Sequence, residues 1–140
     1  MIDSSVLVAA FYRGHPHFAA SHALLLQLPE KQRTAALHSL SEVYAAITRL
    51  PVSPKPSPSD ALLYMQSLAT RIRWIAASEK TYQHALTRTA SLGLAGAKIY
   101  DSLILATAIE HGATQLYTWN LKDFTLLAQG LPISILPPPN

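Results

Sequence analysis

The sequence predicts an α/β fold, a three-layer α/β/α sandwich in which helices cover both faces of a mostly parallel central sheet. Short β-like runs alternate with longer helix-like runs along the whole chain, the order that βα crossovers produce. Of the 140 residues, 49% are hydrophobic, enough for a core on each face of a sheet without disulfide staples. A third observation concerns chemistry. Asp3, Glu42, Asp101 and the pair Asn120 and Asp123 each follow a strand-like run and open a helix-like one. In parallel sheets such turns gather beyond the carboxyl ends of the strands, where sites form.

The elements follow in order. Residues 1–3 read as the end of a strand, and 4–11 turn into a helix. Gly14 and Pro16 break 13–17 into a loop. Residues 18–28 have helical spacing, with Phe18, His22, Leu25 and Leu26 near one face, and 33–37 read as a short strand. Residues 39–50 form a helix with Val43, Ala46, Ile47 and Leu50 on one side. Four prolines in 51–58 make a stiff connector that no helix can cross. A helix over 59–70 follows, with Ser59 as N-cap, then a strand over 71–76 and a helix over 78–92 capped by Ser78. Residues 93–98 are a small-residue loop. The run 99–111 is almost wholly apolar after Asp101, which suits a buried central helix, and Gly112 ends it. A strand over 115–118, a helix over 120–128, a turn over 130–132 and a last strand over 133–136 complete a single domain, 1–140, with 137–140 as tail.

Composition narrows the function. Charged residues make up only 14%, against roughly 25% in an average soluble domain. Eleven basic and eight acidic residues leave a net charge of +3. Four of the eight acids (Asp3, Glu42, Asp101, Asp123) lie in the constellation, so the remaining surface is basic and permits a polyanionic partner. There is no cysteine, which excludes disulfides, a thiol nucleophile and a zinc–cysteine site, and suits a reducing cytoplasm. No signal peptide is expected, because a basic n-region is missing. No membrane span is expected, because no apolar run approaches ~20 residues.

Each acid taken alone has a plain explanation. Asp3 can cap the helix it precedes. Ser39 and Glu42 have the spacing of a capping box, and Asn120 with Asp123 is similar. Acids in a first turn also suit the helix dipole. Asp101 resists this account best, because an ionised carboxylate beside so apolar a helix is costly unless paired or metal-bound. Lys98, one turn before it, is the candidate partner. Together the carboxylates repel by roughly 4 kcal/mol per close pair at intermediate dielectric. A hard divalent cation removes that penalty, and an oxygen-only donor set suits Mg²⁺ or Mn²⁺. Such a metal activates water and stabilises phosphoryl charge, so the constellation points to a nuclease. No G-x-S-x-G elbow supports Ser4 or Ser5 as a nucleophile, and no glycine-rich phosphate loop is present. The six histidines show no helical metal-binding pair.

Four segments carry a more specific signal: Met1-Ile-Asp-Ser-Ser-Val-Leu-Val-Ala-Ala10, Leu40-Ser-Glu42-Val-Tyr-Ala-Ala, Ile99-Tyr-Asp101-Ser-Leu-Ile-Leu-Ala-Thr-Ala108 and Leu116-Tyr-Thr-Trp-Asn120-Leu-Lys-Asp-Phe124. In order and interval they resemble the four motifs of PIN-domain proteins, and within these the VapC toxins of toxin–antitoxin pairs. The resemblance implies a PIN-like fold and a Mg²⁺- or Mn²⁺-dependent endoribonuclease. It implies Asp3 and Asp101 as metal ligands, Glu42 as a base or a holder of metal water, and Asn120 where a fourth acid is common. Asp123 would supply the missing charge, and Thr118 and Ser4 would orient the site. Arg13, Lys98, Trp119 and Lys122 are candidate RNA contacts. RNA, a small antitoxin protein and a second copy of the chain are the implied partners. Apolar surface on the first helices would receive the antitoxin. Two departures stand out: only Met1 and Ile2 precede Asp3, and Asn120 lowers the site charge by one. They keep open an alternative, a non-catalytic α/β binding module with a weak or absent metal site.

Overall fold

A computed structural model of the chain describes residues 1–139; of the expected tail, Asn140 lies outside the described residues. The elements in order are α1 (Ser4–Ala9), α2 (Phe18–Gln27), β1 (Thr34–Ala36), α3 (Ser39–Ile47), α4 (Pro58–Ala69), β2 (Arg73–Ile75), α5 (Glu79–Ser91), α6 (Lys98–Glu110), β3 (Gln115–Tyr117), α7 (Leu121–Leu127) and β4 (Ser134–Leu136), with a 3₁₀ turn at Glu30–Gln32. Every strand pairing is parallel: β1 with β2, in register Ala35 opposite Trp74, and β3 with β4, Leu116 opposite Ile135.

The N-terminus joins these two pairs. Ile2 bridges Ala35 on one side and Tyr117 on the other, both parallel. The strand order is therefore β2, β1, the Met1–Asp3 segment, β3, β4. Met1–Asp3 pairs only through isolated bridges at Ile2, yet its few backbone groups are well used. The Ile2 amide donates to the Thr34 carbonyl at 2.7 Å, the Asp3 amide to the Tyr117 carbonyl at 2.9 Å, and the Tyr117 amide to the Met1 carbonyl at 2.9 Å. Asp3 is thus held by the sheet on its backbone side.

The two faces of this sheet carry separate cores, because neighbouring strand residues point to opposite sides. Ile2 and Ala35 pack with Val6, Leu7, Leu24, Val43, Ile47, Ala61 and Leu68 from α1 to α4. Met1, Ala36 and Leu116 pack with Ile104, Leu105, Ala108, Phe124 and Leu127 from α6 and α7. Fully burying one such aliphatic or aromatic side chain contributes about 1.5–3 kcal/mol. Both sandwich layers are therefore real cores. The apolar run after Asp101 is buried as expected, with Ser102–Leu105, Thr107 and Ala108 inaccessible. Among the described residues no helix is long and apolar enough to cross a membrane.

Three local expectations are corrected. The N-cap of α4 is Ser57, not Ser59. Pro58 occupies the first turn, where its missing N–H costs nothing, and Ser57 and Asp60 form a reciprocal capping box. α3 ends at Ile47 rather than at Leu50, three residues ahead of the proline connector. α6 begins at Lys98, so the preceding loop is one residue shorter than its composition suggested.

Candidate metal centre

Asp3, Glu42, Asn120 and Asp123 follow the Met1–Asp3 segment, β1 and β3 at the starts of α1, α3 and α7, whereas Asp101, contrary to expectation, follows no strand: it lies in the first turn of α6, which comes directly after α5. The capping account of these residues, tempting for each alone, separates them. Asp3 does cap α1, since its side chain accepts from the Ser5 amide at 3.2 Å. Ser39 and Glu42 form no capping box: the N-cap of α3 is His38, which makes no side-chain cap bond. The Ser39 hydroxyl and Glu42 Oε2 are both buried without a hydrogen-bond partner. Asn120 is the N-cap of α7, but its side chain makes no cap bond.

Asp3 is almost fully buried, 2% exposed, and its two oxygens are treated differently. Oδ2 accepts from the Thr118 hydroxyl at 2.8 Å, the Ser5 hydroxyl at 2.5 Å and the Ser5 amide at 3.2 Å. Oδ1 takes one long bond, 3.2 Å, from the Ser4 hydroxyl. One oxygen is anchored by three donors, and the other takes a single long bond. The expected orienting residues Thr118 and Ser4 both touch Asp3. Ser5 was not singled out from sequence, although it is a main anchor; its hydroxyl also accepts from the Trp119 amide at 3.0 Å. Its position two residues after a capping Asp was the available signal.

Asp101 is half-buried and accepts from Asn120 Nδ2 at 3.1 Å on Oδ2. Its carboxyl is pushed up to about 7, first by burial and then by the charges of Asp3, Asp123 and Glu42, with Lys98 opposing. Glu42 is raised in the same direction, mainly by burial and also by Asp3, with Ser4 opposing. These carboxylates therefore share one electrostatic neighbourhood. The neutral Asn120 stabilises the ionised form of Asp101, where a fourth acid would oppose it.

Lys98 does not take the expected role as partner of Asp101. It forms an ion pair with Asp123. The ammonium and the Asn120 amide hold the Asp123 carboxyl below its usual range. The charge that Asp123 adds to the cluster is therefore offset in part by Lys98, which opposes it at Asp101. Of the other candidate RNA contacts, Arg13 and Lys122 are exposed. Trp119 is locked in place: its indole N–H donates to the buried Ser21 hydroxyl at 2.8 Å, and His17 stacks on its ring at 3.8 Å. One face of that ring is covered by the protein itself.

Among the described residues no group of three or more His, Cys, Asp or Glu side chains stands close enough together to hold a metal ion by itself. An open arrangement is what Mg²⁺ uses, since it keeps several waters and takes one or two protein carboxylates. The oxygen-only donors, the buried partnerless Oε2 of Glu42 and the mutual repulsion around Asp101 all fit a hard divalent cation.

Comparison with known proteins bears on the family and the fold. The family model of the PIN domain matches residues 1–125. Ribonuclease VapC27 of Mycobacterium tuberculosis (strain ATCC 25618 / H37Rv) is 32% identical over 115 residues, covering 80% of this chain and 78% of that protein. Among solved structures, the fold is similar to Mycobacterium tuberculosis VapC20, a Sarcin-Ricin loop cleaving toxin, with a TM-score of 0.75 and 18% identity over 93% of this chain and 94% of that one. It is similar to VapBC2 from Rickettsia felis bound to a DNA fragment from their promoter, at TM-score 0.64 and 21% identity over 96% and 95% of the two chains. FitAcB from Neisseria gonorrhoeae matches at TM-score 0.65 and 17% identity over 98% and 96%.

Proposed function

Because this chain belongs to the PIN-domain family, we propose that its carboxylate cluster makes it a Mg²⁺- or Mn²⁺-dependent endoribonuclease, the toxin of a toxin–antitoxin pair. The observation that carries the reading is the concentration of Asp3, Glu42 and Asp101 in one neighbourhood, where the buried charge of Asp3 raises both Glu42 and Asp101 and Glu42 raises Asp101 further. Asp3 and Asp101 are the residues to hold the cation. A bound divalent cation neutralises these carboxylates and supplies Lewis acidity for phosphodiester hydrolysis.

The protein's own groups do the rest. Thr118 and Ser5 anchor Asp3 through Oδ2, while Oδ1 takes only the long bond from Ser4. Asn120 fixes Asp101 through Oδ2 in the same manner. Glu42, raised and without a partner on Oε2, accepts the proton of the attacking water. Asp123 acts at one remove by keeping Lys98 beside the cluster, where the ammonium faces an incoming phosphate.

The antitoxin partner suits a groove of about 280 Å³ between α1, α2 and α4, where Phe11, Phe18, Leu25 and Leu68 are flanked by Arg13 and Arg71. An amphipathic segment with an acidic residue fits that chemistry. A homodimer acting in the cytoplasm completes the reading. Purified protein cleaves total RNA with Mg²⁺ or Mn²⁺, and Asp101→Asn abolishes the cleavage. Equal cleavage by that variant removes the assignment.

A further inference from the structure

His38 and Tyr100 lie far apart in sequence, and neither shows a partner pattern there. In the fold their rings stack, with centroids 5.0 Å apart and planes 24° from parallel. His38 is the N-cap of α3 with helical backbone angles, so Glu42 lies one turn further along the same helix face. Tyr100 directly precedes Asp101 in the first turn of α6. The stack therefore ties together the two helix starts that carry Glu42 and Asp101, at the edge of the carboxylate cluster.

Packing alone does not account for this pair. Tyr100 is 46% exposed, and among the described residues its side chain joins neither core cluster. His38 Nε2 is buried with no hydrogen-bond partner, a costly arrangement when nothing is to be gained from it. The other aromatic near the site, Trp119, has His17 on one face and its N–H committed to Ser21. Tyr100, next in sequence to Asp101, is stacked by His38 yet keeps 46% of its surface exposed.

We propose that Tyr100, backed by His38, is a nucleobase-binding subsite that stacks an unpaired base of the RNA next to the scissile phosphate. The inference rests on the ribonuclease reading and deepens it by assigning a base-stacking position to the His38–Tyr100 pair beside the cut. A base stacked on Tyr100 extends an existing two-ring pile, and every base has a π-face, so the subsite confers positional preference more than strict sequence readout. His38 is the positioning residue that keeps the Tyr100 ring from turning away.

The test is steady-state cleavage of a single-stranded RNA with Mg²⁺ by the full chain, with an otherwise identical RNA carrying an abasic nucleotide on either side of the cut. Tyr100→Ala raises KM about tenfold or more with kcat little changed, ~1.4 kcal/mol or more of stacking per base. Tyr100→Phe keeps near wild-type KM, because the ring alone is required. His38→Ala moves KM in the same direction by less. On wild type one abasic substrate behaves as Tyr100→Ala does on the intact RNA, and the two losses do not add. If wild type cleaves, Asp101→Asn does not, and Tyr100→Ala retains wild-type KM on all substrates, the subsite is refuted while the nuclease reading stands. If wild type itself fails to cleave any RNA, both fall.

Discussion

Replacing Asp101 by Asn should stabilise the metal-free protein, and by an amount that depends on pH. In the folded chain the Asp101 carboxyl is pushed to about 7, against 3.8 for an ordinary aspartate, by burial first and by Asp3, Asp123 and Glu42 next. Three units would correspond to ~4 kcal/mol if the site were dry. The carboxyl is half-exposed, so solvent screening reduces this to ~1–2 kcal/mol. The sign follows from proton binding. Between about pH 4 and 7 the folded state holds a proton that the unfolded state has lost, so stability falls as pH rises through that window. Below it both states are protonated and no penalty exists; above it the penalty is complete. Asn is isosteric, carries no charge and still accepts from Asn120 Nδ2 through its amide oxygen. Thermal melts followed by circular dichroism in chelator should therefore place Asp101→Asn about 3–6 °C above wild type at pH 8, with the gap closing towards pH 4. Glu42 titrates with the same sign in both proteins, so the difference between them isolates Asp101. Addition of about 10 mM Mg²⁺, chosen against weak sites of order 1 mM, should stabilise wild type by ~1 kcal/mol and the variant less. A gap that does not change with pH, or a variant less stable than wild type at pH 8, would refute the shared-charge account of the site.

Three further outcomes follow from other parts of the fold. Thr118→Val keeps the shape of a fully buried side chain but removes a donor to Asp3 Oδ2, so it should cost ~1.5–3 kcal/mol in a urea titration and slow RNA cleavage; a loss under 0.5 kcal/mol would show that Ser5 anchors Asp3 alone. Phe124→Ala empties the largest fully buried side chain of the α6–α7 face and should cost ~3–5 kcal/mol, read by chemical denaturation. Ser57→Ala should cost ~1 kcal/mol through the lost cap of α4, whereas Ser59→Ala should change stability by only a few tenths; the reverse order would contradict the observed helix start.

Much of this protein is determined locally and was therefore legible in the sequence. The alternation of helical and β-like runs follows from side-chain periodicity and from Gly and Pro, which act on their own neighbours. So the α/β class, the parallel pattern and most element positions needed no tertiary information. The apolar run after Asp101 marked a buried helix, and the motifs around Asp3, Glu42, Asp101 and Asn120 marked the residues proposed for the site. Pairings across the chain were decided only by the tertiary structure. Whether Ser39 and Glu42 would cap a helix or face a site depended on where β1 delivered the start of α3. Whether Lys98 would neutralise Asp101 or Asp123 depended on how α6 and α7 lie together. Ser5 became an anchor because β3 brings Thr118 and Trp119 beside it, and Tyr100 met His38 because α3 and α6 start at the same edge of the sheet. Local sequence sets which groups a turn can present. Long-range packing sets which of them meet, and the energy of a charge depends on that meeting far more than on its place in the chain.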